Sequence, residues 1–329
     1  MRKFIIKRLL ISIVILFFVG MIAYLLMRCM PADYVEQMAR ELSQKPGSKS
    51  FNEWKEQLYQ AYGMNSNIIV GYFTWLGNAV RGNFGDSWSH TGQTVIQVFN
   101  SVIWYSFALG AASFVLQIVI AIPLGIVSAK KQYSKTDYTV TFLALLGISL
   151  PSFFLATLLK WIFSVKLGWV DLFGIVGRNH EQLSEFGKIM DMGAHMILPV
   201  VTLTVVSIGS LMRYTRTNML EVLNSDFIRT ARAKGLAEKK VVNYHAFRNT
   251  LIPVVTILGG SLPSLFAGAQ ITETLFQIPG IGYTSYQAII AGDIPFVMFY
   301  IVFIAVLTLL GTLIADILYA VVDPRVRIQ

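Results

Sequence analysis

Charged residues are missing from six long stretches of this chain, and that absence constrains its fold more than any other feature. The stretches are Leu9–Met27, Val102–Val127 within a longer charge-free run over 87–129, Tyr138–Leu159, Met192–Met212, Asn249–Thr272 and Ile294–Ala315. Each reaches the roughly 20 residues a helix needs to cross about 30 Å of hydrocarbon. A Lys, Arg or Asp at the bilayer centre would cost about 2.5–3.5 kcal/mol, so their exclusion is physical. Composition agrees: 14% of the 329 residues are charged and 55% are hydrophobic, against about 25% charged in ordinary soluble proteins. The prediction is an all-α integral membrane protein with six transmembrane helices.

A seventh charge-free run, Gln57–Val80, is broken by Gln60, Asn65, Ser66, Asn67, Gly71 and Asn78 into a short apolar core, Ile68–Leu76. It is expected to form an interfacial or packed extracytoplasmic helix. Arg2, Lys3, Lys7 and Arg8 precede the first stretch as they would a signal peptide. Its 19 residues exceed the usual apolar region of about 7–15, and no small-x-small cleavage site follows, so a retained anchor is expected. Arg28 before Cys29 is not the small residue a lipid-modified cysteine would need. A single cysteine also rules out an internal disulfide framework.

The net charge of +9 permits nucleic acid, an anionic membrane surface or membrane topology as its cause. Assigning the loops to alternate sides decides for topology. One side holds 17 of the 27 Lys and Arg residues and a net +11; the other is net −3, and Lys160 lies within a span. Most basic residues of the poorer side fall in one long loop, which carries little weight in the positive-inside rule. Both termini are therefore expected in the cytoplasm. The expected organisation is a cytoplasmic N-terminus and first span over 1–27, and a helical extracytoplasmic segment over 28–101 with a turn at Gly47–Ser50. A five-span core over 102–322 then includes a cytoplasmic loop at 213–250, before a cytoplasmic tail over 323–329.

Pro123, Pro151, Pro199, Pro253 and Pro263 lie inside or at the edges of spans, where kinks are tolerated when packed in a bundle or lining a cavity. Lys160, near the end of the third span, is expected to snorkel to the interface. Asp316 reads as an interfacial anchor. Glu273, after Gln270 and Thr272, is placed at the outer end of the fifth span, toward solvent or cargo; Pro263, Gln270 and Glu273 are the candidate translocation-path residues. There is no ladder of buried acids or histidines for proton coupling.

Several catalytic motifs are absent: no G-x-x-x-x-G-K-[ST] phosphate loop, no H-E-x-x-H and no G-x-S-x-G. His90, His180, His195 and His245 share no i,i+4 spacing, so no metal site is expected. The chain is read as a non-catalytic membrane subunit that binds no cofactor itself.

The informative polar segment is Asn224–Pro253, NSDFIRTARAKGLAEKKVVNYHAFRNTLIP. Ser225 or Asn224 can cap a helix with Asp226 in its first turn, and Gly235 can end it in the left-handed conformation. Phe227, Ile228 and Ala231 are expected on one side, with Arg229, Arg232 and Lys234 elsewhere. The segment is long for a plain connector, and a capped amphipathic helix favours a protein partner over contact with lipid headgroups alone.

Thr230-Ala231-Arg232-Ala233-Lys234-Gly235 with Arg248-Asn249-Thr250-Leu251-Ile252-Pro253 resembles the EAA loop of ABC importer permeases. More closely, it resembles the B-type permease subunit of the dipeptide/oligopeptide/nickel group. The N-terminal MRKFIIKRLL, Tyr72–Leu76, Arg81–Ser87, Thr272–Gly282 and Val322–Arg327 fit the same group, so the resemblance runs end to end. Arg229 replaces the acidic residue of the general motif and Thr230 its first alanine, and the gap from Gly235 to Pro253 is longer, all similar to the peptide group. The resemblance implies the type I importer permease fold and a bacterial plasma-membrane location. It also implies pairing with a homologous C-type permease, two cytoplasmic ABC ATPases that bind ATP and Mg, and an extracytoplasmic substrate-binding protein. The cargo implied is a dipeptide or oligopeptide, with nickel or another small solute as the alternative; a self-sufficient secondary carrier is the rival in another class. Asp226, Arg229, Thr230, Ala231, Arg232, Ala233, Lys234, Gly235 and Leu236 would form the ATPase-coupling interface. Lipid is an expected partner and nucleic acid is not.

Overall fold

The computed structural model describes residues 2–29, 32–44, 49–61 and 67–322. The expected tail over 323–329, and Gly47 and Ser48 of the expected turn, lie outside the described residues. In chain order, α1 (Arg2–Arg28) is followed by three short helices, α2 (Ala32–Ser43), α3 (Phe51–Ala61) and α4 (Ile68–Val80). Next come α5 (Val95–Lys130), α6 (Lys135–Ser149), α7 (Ser152–Leu159, continued by a π-helical turn over Lys160–Lys166) and α8 (Glu185–Leu223). The chain then forms α9 (Asp226–Ala233), α10 (Glu238–Lys240), a π-helical turn over Val241–Ala246 and α11 (Phe247–Ser261). It ends with a 3₁₀ turn (Leu262–Phe266), α12 (Gln270–Phe276), α13 (Ile281–Ala291) and α14 (Ile294–Val322).

Among the described residues four helices are long and apolar enough to cross a bilayer, α1, α5, α8 and α14, or six spans when two bent helix pairs each count as one. The bent pairs correct two expectations. Tyr138–Leu159 is not one straight span: α6 and α7 meet at 101°. The cause is Pro151, whose ring pushes the residue before it out of the helical region, and Leu150 is extended at φ −78°, ψ 124°. Asn249–Thr272 is likewise interrupted. Its helix bends by 47° around Pro253, tightens into the 3₁₀ turn at Pro263, and stops before Gly268, which is left-handed at φ 81°. Thr272 therefore belongs to a separate short helix. Pro123 and Pro199 lie within α5 and α8 without ending them.

The described residues divide into two compact units, one within 2–4, 102–284 and 307–322 and the other within 5–101 and 285–306. In the second, Tyr24, Tyr72, Trp75 and Trp88 form an aromatic core joined by Leu42 and Leu58 of α2 and α3. Asn67 caps α4 by accepting from Ile69 N–H at 3.1 Å, so the broken apolar run becomes a short packed helix, with Gly71, Tyr72 and Trp75 buried. Asp293 ties the Arg81–Ser87 segment to the start of α14. It accepts from Ser87 Oγ and, at 3.0 Å, from Ser89 N–H, and its other oxygen accepts from Phe296 N–H at 3.3 Å.

In the first unit, small residues let helices approach closely, as membrane interiors favour. A methyl on Gly147 of α6 would stand 2.8 Å from the Val205 carbonyl of α8, and one on Gly209 of α8 would collide with the Ala144 carbonyl of α6. At 1.5 Å per residue α8 is about 58 Å long, well beyond a bilayer core. It runs on through Arg216 and Met219 to the polar loop. Elsewhere Leu10, Ile13, Val119 and Phe142 are each about 60% exposed, an arrangement unfavourable in water and ordinary against lipid.

Candidate functional site

The polar loop after α8 folds as two helices around a turn. Ser225 occupies the cap position of α9, but its hydroxyl donates back to the Val222 carbonyl at 2.6 Å and does not cap the helix. The C-terminal stop is as expected: Gly235 is left-handed at φ 75°. Its N–H donates to the Arg232 carbonyl at 2.9 Å, and Leu236 N–H donates to the Ala231 carbonyl at 3.3 Å. These two bonds are the paired closure of a Schellman motif.

Burial sorts the loop residues. Ile228 is fully buried and Ala231 nearly so, packed with Met219, Val241, Val242 and Ala246 beside Leu236. Burying one such isoleucine stabilises by roughly 1.5–3 kcal/mol, which anchors an eight-residue helix too short to persist alone. Phe227 does not share this face. One residue advances 100° around a helix, and Phe227 is 47% exposed. Asp226, Arg229, Thr230, Arg232, Ala233, Lys234 and Gly235 are also exposed. Of the expected interface, then, Ala231 faces inward as an anchor and Leu236 is half-buried. Phe227 joins the outward face. Arg232 bridges to Glu238 of α10 at 2.8 and 3.1 Å, and its guanidinium holds the Glu238 carboxyl below the usual carboxylate range.

Behind this loop lies a polar junction that sequence reasoning missed. Asp137, 3% exposed, receives Arg216 of α8 through two 2.8 Å bonds, Tyr133 N–H at 3.0 Å, and the Ser128 hydroxyl. It ties the end of α5, the start of α6 and α8 together. Ser134-x-x-Asp137 is a capping-box pattern, with Asp137 N–H on Ser134 Oγ at 3.3 Å; that signal was available, but its arginine partner 79 residues away was not.

Among the candidate path residues, Glu273 does not meet solvent as expected. Glu273 is completely buried. It accepts from Ser106 Oγ at 2.7 Å and from the backbone N–H groups of Ala269 and Tyr283 at 2.9 Å each. Three donors satisfy a carboxylate that would otherwise be too costly to bury. Gly280 and Gly282 make room for it, since a methyl at either would press on its oxygens. This explains the glycines of the Thr272–Gly282 segment. Pro263 is buried and Gln270 exposed.

Lys160 does not snorkel. It is 9% exposed, donates to the Leu275 carbonyl at 2.5 Å, and lies 3.8 Å from the centre of the Phe173 ring. A nearby carbonyl and an aromatic face substitute for interfacial water. His180 and His195 meet at Asp191, which holds His180 Nδ1 at 2.6 Å, while the Asp191 backbone carbonyl lies 2.8 Å from His195 Nδ1. Among the described residues no group of three His, Cys, Asp or Glu is placed to hold a metal.

The apolar helices, with a polar helix-turn-helix between α8 and α11, have the fold of an ABC importer permease. The inward-facing methionine ABC transporter MetNI has a chain that matches this one with a TM-score of 0.54 at 19% identity, over 69% of this chain and 97% of that one. The chain belongs to the family of binding-protein-dependent transport system inner membrane components, whose model matches residues 121–328; the family's N-terminal model matches residues 1–108. It is 39% identical to the oligopeptide transport system permease protein AppB of Bacillus subtilis, over 99% of this chain and all of that one. It is 35% identical to the oligopeptide transport system permease protein OppB of Escherichia coli K12, over 99% and 100%, and 34% identical over full length to a putative peptide permease protein of Brucella ovis. The chain is thus a multi-pass membrane permease of the ABC type.

Proposed function

We propose that this chain passes oligopeptides or dipeptides across a bacterial plasma membrane by alternating access, with both termini in the cytoplasm. A second, homologous permease completes the path, two ABC ATPases bind and hydrolyse ATP with Mg, and an extracytoplasmic binding protein delivers cargo. The observation that carries the reading is the outward face of α9: a short helix fixed from behind by Ile228 and stopped by Gly235, presenting Phe227, Arg229, Thr230, Ala233 and Lys234. A rigid helix-turn-helix of this kind transmits a push from a cytoplasmic ATPase to α8 and α11, between which it lies. The full-length relatives named for oligopeptide transport support peptide as cargo.

Gly235 tests the coupling role. Its side is open, with no atom within 4 Å of an added methyl, so only backbone strain opposes substitution. Gly235→Val, β-branched and therefore strained in the left-handed region, is expected to abolish uptake in reconstituted importer while membrane insertion persists. Gly235→Asn, which tolerates that region, is expected to retain uptake. Normal uptake with Gly235→Val would rule the role out. Peptide uptake by this chain alone in proteoliposomes would favour a self-sufficient carrier instead.

A further inference from the structure

Within the first unit a cavity of about 360 Å³ opens between α5, α8 and the 3₁₀ turn, lined among others by Ser106, Gly110, Ser113, Gln117, Ser207 and Ser264, with no charged residue on its wall. The α5 residues recur at intervals of four, three and four, so they form one narrow stripe on a 100° helical wheel. Gly110 brings α5 against the turn, since a methyl there would stand 2.8 Å from the Leu265 carbonyl.

Hydrogen bonds within the wall give it a definite polarity. Ser113, Ser261 and Ser264 donate their hydroxyl protons to the carbonyls of Leu109, Ile257 and Ser261 at 2.7, 3.0 and 2.6 Å. Ser106 donates to Glu273, and Gln117 Nε2 donates to the Ser207 carbonyl at 3.0 Å. Lone pairs on Ser113, Ser261 and Ser264 and Gln117 Oε1 remain, beside two donors, the second Gln117 Nε2–H and the Ser207 hydroxyl, while Ser106 Oγ already accepts from Ile281 N–H at 2.8 Å: a neutral wall on which acceptors outnumber donors. Phe114 and Leu203 complete it with apolar surface. A ligand complementary to such a wall is rich in N–H donors and requires no fixed countercharge.

Resting on the peptide reading above, we propose that this cavity is a subsite for the main chain of a peptide in transit. It pairs main-chain N–H groups with hydroxyl and amide oxygens and accepts varied side chains, because no charge on the wall selects among them. Glu273 serves as a positioning residue: it holds Ser106 and Ala269, both on the cavity wall, without facing the ligand.

The test uses the complete importer in proteoliposomes, with trialanine and an analogue in which an ester replaces the second of its two amides and so removes one N–H. The wild type is expected to take up the amide about five- to tenfold faster than the ester, the worth of roughly one hydrogen bond. Ser113→Leu and Ser207→Leu, which fill the cavity, are expected to lower uptake at least about tenfold. Variants that co-purify with the partner subunits at wild-type yield count as assembled. As a second measurement, trialanine is expected to slow maleimide labelling of Ser207→Cys in a Cys29→Ser background. Wild-type uptake by the assembled leucine variants, equal uptake of amide and ester, or unprotected labelling would overturn the subsite while leaving the importer reading intact. Absence of peptide uptake by the wild-type complex would overturn both.

Discussion

At the scale of single residues, the first unit depends on two acidic groups that the chain has placed where water is scarce. Asp137 is supported by a guanidinium, a hydroxyl and a backbone N–H. Removing one partner of such a pair strands the other, at a cost of about 3 kcal/mol at the lower end of the range for buried pairs, appropriate because the Arg216 side chain is 23% exposed. Asp137→Ala is expected to show that loss in SDS-induced unfolding of the detergent-solubilised protein. Asp137→Ala with Arg216→Ala should lose less than the sum of the two single variants; strict additivity would argue against direct coupling. Glu273→Ala leaves three donors without their acceptor and is expected to cost at least about 3 kcal/mol by the same measurement. An unchanged midpoint would mean that water or a neighbour replaces the carboxylate.

At the scale of elements, local signals were legible where a single segment decides the outcome. Gly235 ends α9 through its left-handed backbone, Asn67 starts α4 through its side-chain oxygen, and Pro151 breaks the α6–α7 pair through its ring. Ser225 shows the limit: a good capping residue in sequence, it bonds instead to the preceding turn of α8. The helix pair α9–α10 also carries a pH-dependent contact. Arg232 lowers the pKa of Glu238 from its ordinary 4.5, so the bridge contributes fully at neutral pH and is lost as pH falls below 4.5 through the lowered value. Both partners are exposed, so the contribution is about 0.2–1 kcal/mol and weakens with salt. Thermal melts at pH 7 and pH 3.5 should narrow in difference by that amount in Glu238→Gln; an identical difference would place the pH response elsewhere.

At the scale of the whole molecule, close helix contacts and charge asymmetry set what can vary. Gly209→Leu forces α6 away from α8 and is expected to abolish folded yield, whereas Gly193→Leu, with open space around it, should be accepted; size-exclusion profiles of the purified protein separate the two. Topology is checked by a single cysteine in a Cys29→Ser background. At position 234 it should react with an impermeant maleimide only in opened cells, and at position 184 in intact spheroplasts. The reverse pattern would invert the assignment. The sequence by itself determined that the chain is helical and membrane-spanning, how its basic residues divide between alternate loops, and where α9 stops, because lipid excludes charge and because turns are governed by neighbouring backbone. Tertiary structure alone decided that Glu273 and Lys160 turn inward, that Asp137 meets Arg216, and that Phe227 points out while Ala231 points in. It also decided that serines from α5, α8 and the 3₁₀ turn share one cavity. Each of these outcomes depends on a partner brought close by packing, and a linear pattern of apolar and polar residues does not specify which distant groups will meet.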